Sequence, residues 1–245
     1  MNNGNIRRLH FAEADSTNNI AKSLSPQAGE AILITADYQT AGRGQRGNTW
    51  EAMPGKNLLF SLVLKPDSLS ASEQFVICEL ISVALSHALS AYTEDIRIKW
   101  PNDIYFRDQK LGGILIEHDL CGTELSRTII GIGLNVNQPH FESDAPNPVS
   151  LVQILGHELD REELLQAICK EFFSLLRTYE RDSLHAHYNA LLYRLDVPAR
   201  YRDAHSDFRA TLRKVERDGR LILEDETATL RSYLFKEVGY VITQP

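Results

Sequence analysis

The chain has 245 residues, 43% of them hydrophobic, and a formal net charge of −7 at pH 7. A chain of this length buries a core without disulfide or metal staples, and its composition excludes collagen-like, low-complexity and wholly disordered proteins. The negative charge and the lack of a basic block argue against duplex-DNA binding. The longest apolar run, residues 58–64, is too short to span a membrane.

The N-terminus and the cysteines favour a cytoplasmic protein. The first fifteen residues lack the apolar segment of a secretion signal. The three cysteines, Cys78, Cys121 and Cys169, are widely spaced and form no CxxC pair. They therefore predict free, mostly buried thiols in a reducing compartment, not a zinc or disulfide framework.

The apolar periodicity predicts strands and helices in irregular alternation over the first 190 residues. In chain order these begin with a strand at 7–12, a helix from the candidate caps Asp15 and Ser16 toward residue 24, and strands at 31–38 and 57–65. They continue with a helix at 70–92, a strand at 96–100, a hairpin of 103–106 and 111–117 around 107–110, a strand at 128–136 and a helix at 161–179. The lack of regular βαβ alternation predicts an α+β fold.

After residue 193 the pattern changes to short, closely spaced strands. These are predicted at 208–215, 221–224, 230–235 and 238–243. The pair Asp218-Gly219 predicts a hairpin turn between the first two strands. This pattern suits a small β-barrel, so we expect two domains, residues 1–192 and 193–245.

A nineteen-residue segment rich in glycine, residues 39–57, separates two predicted strands; we call it the glycine–arginine loop. Its centre, GRGQRG at 42–47, matches the dinucleotide fingerprint G-x-G-x-x-G, but the helix that must follow such a fingerprint is missing. Three glycines bring backbone amides close to an anion, and Arg43 and Arg46 add bidentate donors. The segment therefore predicts an anion-binding loop, with a solvated surface loop as the alternative.

Three further segments combine glycine with polar or charged side chains. They are KWPND at 99–103, KLGGILIE at 110–117 and GIGLNVN at 131–137. Lysines can flank a phosphate, amides can donate and accept, and glycines within a strand allow close approach of a ligand. Taken singly, the same residues are typical of turns, solvated charges and a core tryptophan.

Taken together and in order, these segments resemble the biotin–protein ligases (biotin–[acetyl-CoA-carboxylase] ligases). The resemblance rests on STN at 16–18, YQ at 38–39, GRGQRG at 42–47 with Trp50, KWPND at 99–103, KLGGIL at 110–115 and GIGLN at 131–135. It implies a mixed-sheet biotin/lipoate ligase catalytic domain, similar to class II aminoacyl-tRNA synthetases, and an SH3-like C-terminal β-barrel. Because only fifteen residues precede Ser16, the resemblance implies the monofunctional form of these ligases, which lacks an N-terminal DNA-binding domain.

The resemblance also implies a reaction. Biotin and ATP, with Mg²⁺, give biotinyl-5′-AMP and pyrophosphate, and the biotinyl group then passes to one lysine of a biotin carboxyl carrier domain of acetyl-CoA carboxylase or a related carboxylase, with release of AMP. Positioning and charge neutralisation suit this chemistry, and the sequence shows no nucleophile signature. The implied partners include neither DNA nor a membrane, and the implied oligomeric state is a monomer or a weak homodimer.

By the same resemblance, Arg43 and Lys110 are the catalytic residues. The residues implied for biotin are Ser16, Thr17, Asn18, Gln39, Arg43, Gly44, Gln45, Lys110 and Gly112. Those implied for ATP are Arg43, Arg46, Trp50, Lys99, Asn102, Asp103, Lys110 and Asn135, and no protein metal ligand is assigned. Many relatives carry a basic residue where this chain has Gln45, so the loop holds one positive charge fewer. We expect the glycine–arginine loop to close over the adenylate.

Three other functions are compatible with parts of this sequence. Lipoate–protein ligases share the fold, but the GRGQRG and KWPND segments favour biotin. A repressor that uses biotinyl-AMP as corepressor needs a DNA-binding domain, and a non-catalytic biotin carrier does not need the ATP-side residues. His185 and His187 are interpreted as surface residues of a helix, not as metal ligands.

Overall fold

A computed structural model describes residues 6–142 and 147–242. Its larger sheet has seven strands: β1 Ile6–Ala14, β2 Ala31–Gln39, β3 Leu58–Leu64, β4 Ile96–Lys99, β5 Asp103–Phe106, β6 Gln109–Cys121 and β7 Glu124–Leu134. Their order is β1-β2-β3-β7-β6-β5-β4. The β1–β2 pair is parallel and the other pairs are antiparallel, which confirms the predicted mixed sheet of an α+β fold.

Helices cover both faces of this sheet. They are α1 Thr17–Lys22, α2 Phe75–Ser90, α3 Leu151–Leu155, α4 Arg161–Thr178 and α5 Arg181–Ala190. Successive side chains of β2 point to opposite faces, so Ile32 and Ile34 pack toward α1 whereas Leu33 joins the core under α2. A strand buried on both faces is continuously apolar, and this explains the run at 31–34.

Helix α2 is the central helix of the fold and is apolar on nearly all sides. A 3-10 turn, Ala71–Glu73, precedes it, and a capping box between Ser70 and Glu73 fixes this start. By length and composition alone, the stretch Ala71–Ser90 is long and apolar enough to cross a bilayer, and it contains two glutamates, Glu73 and Glu79. In the fold 72% of this stretch is buried, as expected for a core helix.

The second sheet is antiparallel and has five strands, β8 Pro198–Asp203, β9 Asp207–Val215, β10 Leu221–Asp225, β11 Leu230–Tyr233 and β12 Val238–Tyr240. Their order, β11-β10-β9-β8-β12, is consistent with an SH3-like unit. Gly219 has φ +88° in the turn between β9 and β10, which confirms the predicted hairpin. Strand β8 was not predicted, because only Ala199 and Tyr201 of its residues are buried.

The two sheets meet beside the end of β4. The indole Nε1 of Trp100 donates to the carbonyl oxygen of Gly219 at 2.9 Å, and the ring of Phe75 covers the same glycine. Asn189 of α5 donates to the carbonyl oxygen of Val215 and accepts from its amide. Several contacts thus cross the predicted domain boundary at 192–193, which itself stays a prediction.

The cysteines agree with the sequence-based prediction, whereas one histidine does not. Cys78 and Cys169 are buried, Cys121 is exposed, and all three are free. Burial raises the pKa of both buried thiols to about 12, so they stay protonated. The surface interpretation of His185 was wrong: its Nδ1 lies 2.5 Å from Oε1 of Glu79, which is buried on α2.

An ion pair joins the edge strand β1 to the start of α4. The guanidinium of Arg8 donates twice to Glu162 at 2.5 Å, and this contact, with a second hydrogen bond from Gln166, lowers the pKa of Glu162 to about 2. Because both side chains are 42% exposed, Arg8→Ala is expected to destabilise the fold by about 1 kcal/mol or less at pH 7. A carboxyl with a lowered pKa stabilises above its ordinary value of 4.5, and the effect is lost as the pH falls toward 2.

Urea denaturation of wild type, Arg8→Ala and the control Arg7→Ala between pH 7 and pH 3 measures this effect. Arg7 makes a single, longer contact of 3.6 Å to Glu30 and should matter less. A difference between wild type and Arg8→Ala that grows on acidification would contradict the assignment.

Candidate active site

A cavity of about 840 Å³ opens between the glycine–arginine loop and the strands β4 to β7. The first turn of α1 forms one end of it, and the C-terminal unit forms part of the opposite wall. It brings together these predicted residues: Ser16, Thr17, Asn18, Gln39, Arg43, Gly44, Gln45, Trp50, Lys99, Asn102, Asp103, Lys110 and Asn135. Segments separated by up to 119 positions in the sequence therefore converge on one space.

Two predicted site residues are placed differently. Gly112 is buried behind the cavity wall, where an added Cβ would lie 3.1 Å from the carbonyl oxygen of Gly133, so it allows β6 and β7 to pack closely. Its neighbour Gly113 lines the cavity instead. Arg46 belongs to the 3-10 turn Gln45–Gly47, and the prediction for its side chain lies outside the described residues.

One end of the cavity presents neutral amides and hydroxyls. Gln39 accepts from the backbone amide of Thr17 at 2.8 Å and from its hydroxyl at 3.1 Å, so its amide nitrogen is left to face a ligand. The hydroxyl of Ser61 donates to Oδ1 of Asn18 at 2.7 Å. Ser16 is the N-cap of α1, but its side chain makes no capping hydrogen bond. Such short neutral groups suit a polar, uncharged ligand.

Asn18 lies flat against β7 because that strand has no side chain at Gly131. A Cβ built on Gly131 would lie 2.1 Å from Oδ1 of Asn18, which leaves no room for any other residue. The Asn18 amide donates to the carbonyl oxygen of Leu115 at 3.2 Å and to Glu117 at 2.9 Å. Gly131 therefore leaves the space that the buried side-chain amide of Asn18 occupies.

Charged groups gather beside the amide end. The guanidinium of Arg43 lies 3.3 Å from Glu117 and donates to Oδ1 of Asn19 at 3.0 Å. Glu117 also pairs with Lys22 at 3.1 Å. Sequence reasoning missed Glu117 as a functional residue, although it ends the quoted segment KLGGILIE.

The middle of the cavity carries lysines around one carboxylate. Nζ of Lys110 lies 2.7 Å from Oδ1 of Asp103, and Nζ of Lys99 lies 3.7 Å from Oδ2. Burial lowers the pKa of Lys99, and the nearby Lys110 lowers it further, while Asp103 acts in the opposite direction. Two lysines beside one carboxylate leave a net positive charge, which favours the binding of a phosphate group.

Trp50 of the glycine–arginine loop is seated in the cavity. Its ring lies where a Cβ of Gly133 would be, 2.4 Å from that position, and Nζ of Lys110 lies 5.6 Å from the ring centroid. Within the described residues, the buried Nε1 of Trp50 has no hydrogen-bond partner. The indole thus offers a flat face and an unused donor. Closure of the loop on a ligand stays a prediction.

Two asparagines shape the floor. Asn135 is 3% exposed and donates to the carbonyl oxygen of Val149 at 3.0 Å, while its Oδ1 has no partner among the described residues. Asn102 donates to the carbonyl oxygen of Ile114, which ties the KWPND turn to β6. A buried acceptor without a partner is costly, so Asn135 is a candidate contact for a ligand donor.

The C-terminal unit contributes residues that the sequence did not reveal, among them Phe235, Val238 and Tyr240. A second cavity of about 410 Å³ lies between the glycine–arginine loop and the turn at Phe235 and Lys236. Arg43 and Phe235 line both cavities, so the second cavity adjoins the first. The sequence could not indicate Phe235, Val238 and Tyr240 as site residues, because they belong to no recognisable motif.

Comparisons with known proteins agree with this geometry. The model of the biotin/lipoate A/B protein ligase family matches residues 11–135. The chain is 32% identical over 223 residues to a biotin–[acetyl-CoA-carboxylase] ligase of Paracoccus denitrificans, which covers 87% of this chain and 92% of that protein. The biotin protein ligase of Aquifex aeolicus, solved in complex with biotin and ATP, superposes with a TM-score of 0.78 at 25% identity, covering 97% of this chain and 99% of that one.

A bifunctional ligase/repressor BirA of Bacillus subtilis is 36% identical over 160 residues, which cover 62% of this chain and 48% of that protein. The chain spans about half the length of this relative. The family match, the Paracoccus relative and the shared fold lead to one conclusion. This chain belongs to the biotin/lipoate A/B protein ligase family.

Proposed function

We propose that this chain is an ATP-dependent biotin–[acetyl-CoA-carboxylase] ligase. It joins biotin to ATP as biotinyl-5′-AMP and transfers the biotinyl group to a lysine of a carrier domain. One observation carries the proposal: a single cavity combines a neutral amide end with a cluster of cations around Asp103. The relatives named as biotin ligases support it.

The amide end suits the ureido ring of biotin. This ring is neutral and offers two N–H donors and one carbonyl acceptor. Thr17, Asn18 and Gln39 supply matching groups. Hydrogen bonds between Thr17 and Gln39, and from Ser61 to Asn18, hold them in place before a ligand arrives. Preorganised groups bind without the entropic cost of ordering side chains.

The cations suit the first reaction step. A carboxylate oxygen of biotin attacks the α-phosphorus of ATP, the bond to the β-phosphate breaks, and pyrophosphate leaves with the bonding pair. Arg43 and Lys110 would offset the charge that builds up at the carboxylate and the α-phosphate. Trp50 and Asn135 would hold the nucleotide, with Lys99 beside its phosphates.

We propose that the magnesium ion that accompanies ATP arrives bound to the phosphates of the nucleotide, as magnesium commonly does. Both oxygens of Asp103 face lysines, and no group of three or more His, Cys, Asp or Glu that could hold a metal occurs in residues 6–142 and 147–242.

In the second step the amine of an acceptor lysine attacks the acyl carbon, the bond to AMP breaks, and the amine loses a proton. The adenylate is a mixed anhydride that water would hydrolyse, so the glycine–arginine loop is proposed to cover it. The partner is proposed to be a biotin carboxyl carrier domain. A cytoplasmic location is proposed with it, because all three cysteines are free.

The test is incubation with MgATP, biotin and a recombinant carrier domain, followed by intact-mass measurement of the carrier. The expected result is one added biotinyl group on one lysine. A parallel reaction with lipoate should leave the carrier and a lipoyl domain unchanged. Lipoylation without biotinylation, or the absence of both, would refute the proposed function.

The second cavity predicts where the acceptor lysine enters. Phe235→Ala is expected to raise the KM for the carrier domain about tenfold in transfer from isolated biotinyl-AMP, because an aromatic wall of the entrance is lost. Biotin-dependent pyrophosphate exchange should change by less than about twofold.

Leu234→Ala is the matched control for this prediction. Leu234 is 53% exposed and adjacent in sequence, but it lines neither cavity. Equal effects of the two variants on transfer would contradict an entrance at Phe235.

A further inference from the structure

We propose that Glu117 is a positioning residue for biotin, acting through Asn18 and Arg43. Its carboxylate lies outside the lining of both cavities yet contacts two residues that line the main one. This inference rests on the proposed function. Glu117 ends the segment KLGGILIE, but only the folded chain shows which residues contact it.

Glu117 sets the orientation of the Asn18 amide. Oε2 of Glu117 accepts from Nδ2 of Asn18 at 2.9 Å, and the carbonyl oxygen of Leu115 accepts from the same nitrogen at 3.2 Å. Carboxylate and carbonyl oxygens only accept, so the NH₂ group must face them. Oδ1 then points the other way, where Ser61 donates to it. Asn18 therefore offers the remaining lone pair of Oδ1, an acceptor, to a ligand.

Glu117 also holds Arg43 beside this amide. NH1 of Arg43 lies 3.4 Å from Oε2 and NH2 lies 3.3 Å from Oε1, so the planar guanidinium faces both oxygens of the carboxylate. Arg43 is one of the two arginines of the glycine–arginine loop. The pair therefore anchors this loop at the end of the cavity where Asn18 lies, next to the proposed position of biotin.

The charge needed for this role is present at neutral pH. Burial by itself raises the pKa of Glu117, but hydrogen bonds from Asn18 and Lys22 and the charge of Arg43 outweigh it, and the net pKa is lowered. The carboxylate is thus ionised and holds three partners at once. Lys22 does not line either cavity, which makes it the natural control.

The experiment compares Glu117→Ala, Glu117→Gln and Lys22→Met with wild type in biotin-dependent pyrophosphate exchange. Glu117→Ala should raise the KM for biotin about tenfold or more, because the Asn18 amide loses its acceptor and Arg43 its anchor. Glu117→Gln should raise it about threefold, since its amide oxygen still accepts from Asn18 but carries no charge. The KM for ATP in the Glu117 variants and the KM for biotin in Lys22→Met should each change by less than about twofold. The kcat of Glu117→Ala should fall, because Arg43 loses its anchor.

A biotin KM that rises while the ATP KM stays unchanged distinguishes positioning of biotin from a general loss of structure. An unchanged biotin KM in Glu117→Gln, or equal changes in Glu117→Ala and Lys22→Met, would overturn the inference. If Glu117→Ala does not fold, the comparison of Glu117→Gln with Lys22→Met decides. Wild-type protein without any biotin-dependent exchange would refute the proposed function instead.

Discussion

Arg43→Ala is expected to abolish biotin-dependent ATP–pyrophosphate exchange, with a loss of about a hundredfold or more. Arg43 lines both cavities and carries a planar guanidinium that suits a carboxylate or a phosphate. Adenylate formation brings a carboxylate toward a phosphate, and these like charges repel unless a cation lies between them. Since Gln45 is uncharged, Arg43 carries more of this task than it would beside a second basic residue.

Exchange of labelled pyrophosphate into ATP measures this step without the carrier domain. Arg7→Ala is the control, because Arg7 is a comparably exposed arginine on β1 that lines neither cavity. Arg7→Ala should exchange at the wild-type rate. A near-normal rate in Arg43→Ala would rule out the role proposed for this arginine.

Gly131→Ala is expected to weaken biotin binding by about a hundredfold. The added Cβ would lie 2.1 Å from Oδ1 and 2.7 Å from Cγ of Asn18, well inside van der Waals contact. Asn18 is 3% exposed and held by Ser61 and Glu117, so its amide can move only by breaking these hydrogen bonds. Overpacking of this kind costs about 1–3 kcal/mol, and the loss of the ordered amide adds to it.

Titration calorimetry with biotin measures the change, and thermal denaturation shows whether the variant folds. Gly133→Ala is the matched control on the same strand, because its Cβ would meet Trp50 instead, 2.4 Å from the indole. We expect Gly131→Ala to affect biotin and Gly133→Ala to affect ATP. Unchanged biotin affinity in Gly131→Ala would contradict the position of Asn18.

Local patterns predicted most of the regular elements for clear physical reasons. Strand β3, Leu58–Leu64, is apolar throughout because both faces of the sheet are covered. Helix α4, Arg161–Thr178, has an apolar stripe on one side and the side chain of Asp160 as a cap. By contrast, α3, Leu151–Leu155, is too short for periodicity to show, and its capping box depends on Gln153.

The turn of one hairpin was also predicted too long. Strand β5 ends at Phe106 and β6 begins at Gln109, so only Arg107 and Asp108 lie between them. Arg107 has φ +51°, a left-handed conformation that is uncommon for arginine and therefore could not be predicted from the residue type. The side chain of Asp108 accepts hydrogen bonds from Tyr193 and Arg194, which lie far away in the sequence and come close only in the folded protein.

The ordered motifs alone were enough to identify the family and to predict most residues of the cavity, because each motif carries residue types that its chemistry requires. The irregular alternation of strands and helices predicted the α+β class. The tertiary structure decided which of those residues meet and what holds them. It placed Gly112 behind the wall, brought Phe235 and Tyr240 of the C-terminal unit to the opposite side, and set Glu117 against Asn18 and Arg43. These are contacts across long sequence separations, and hydrophobic periodicity describes only neighbours along one helix or strand.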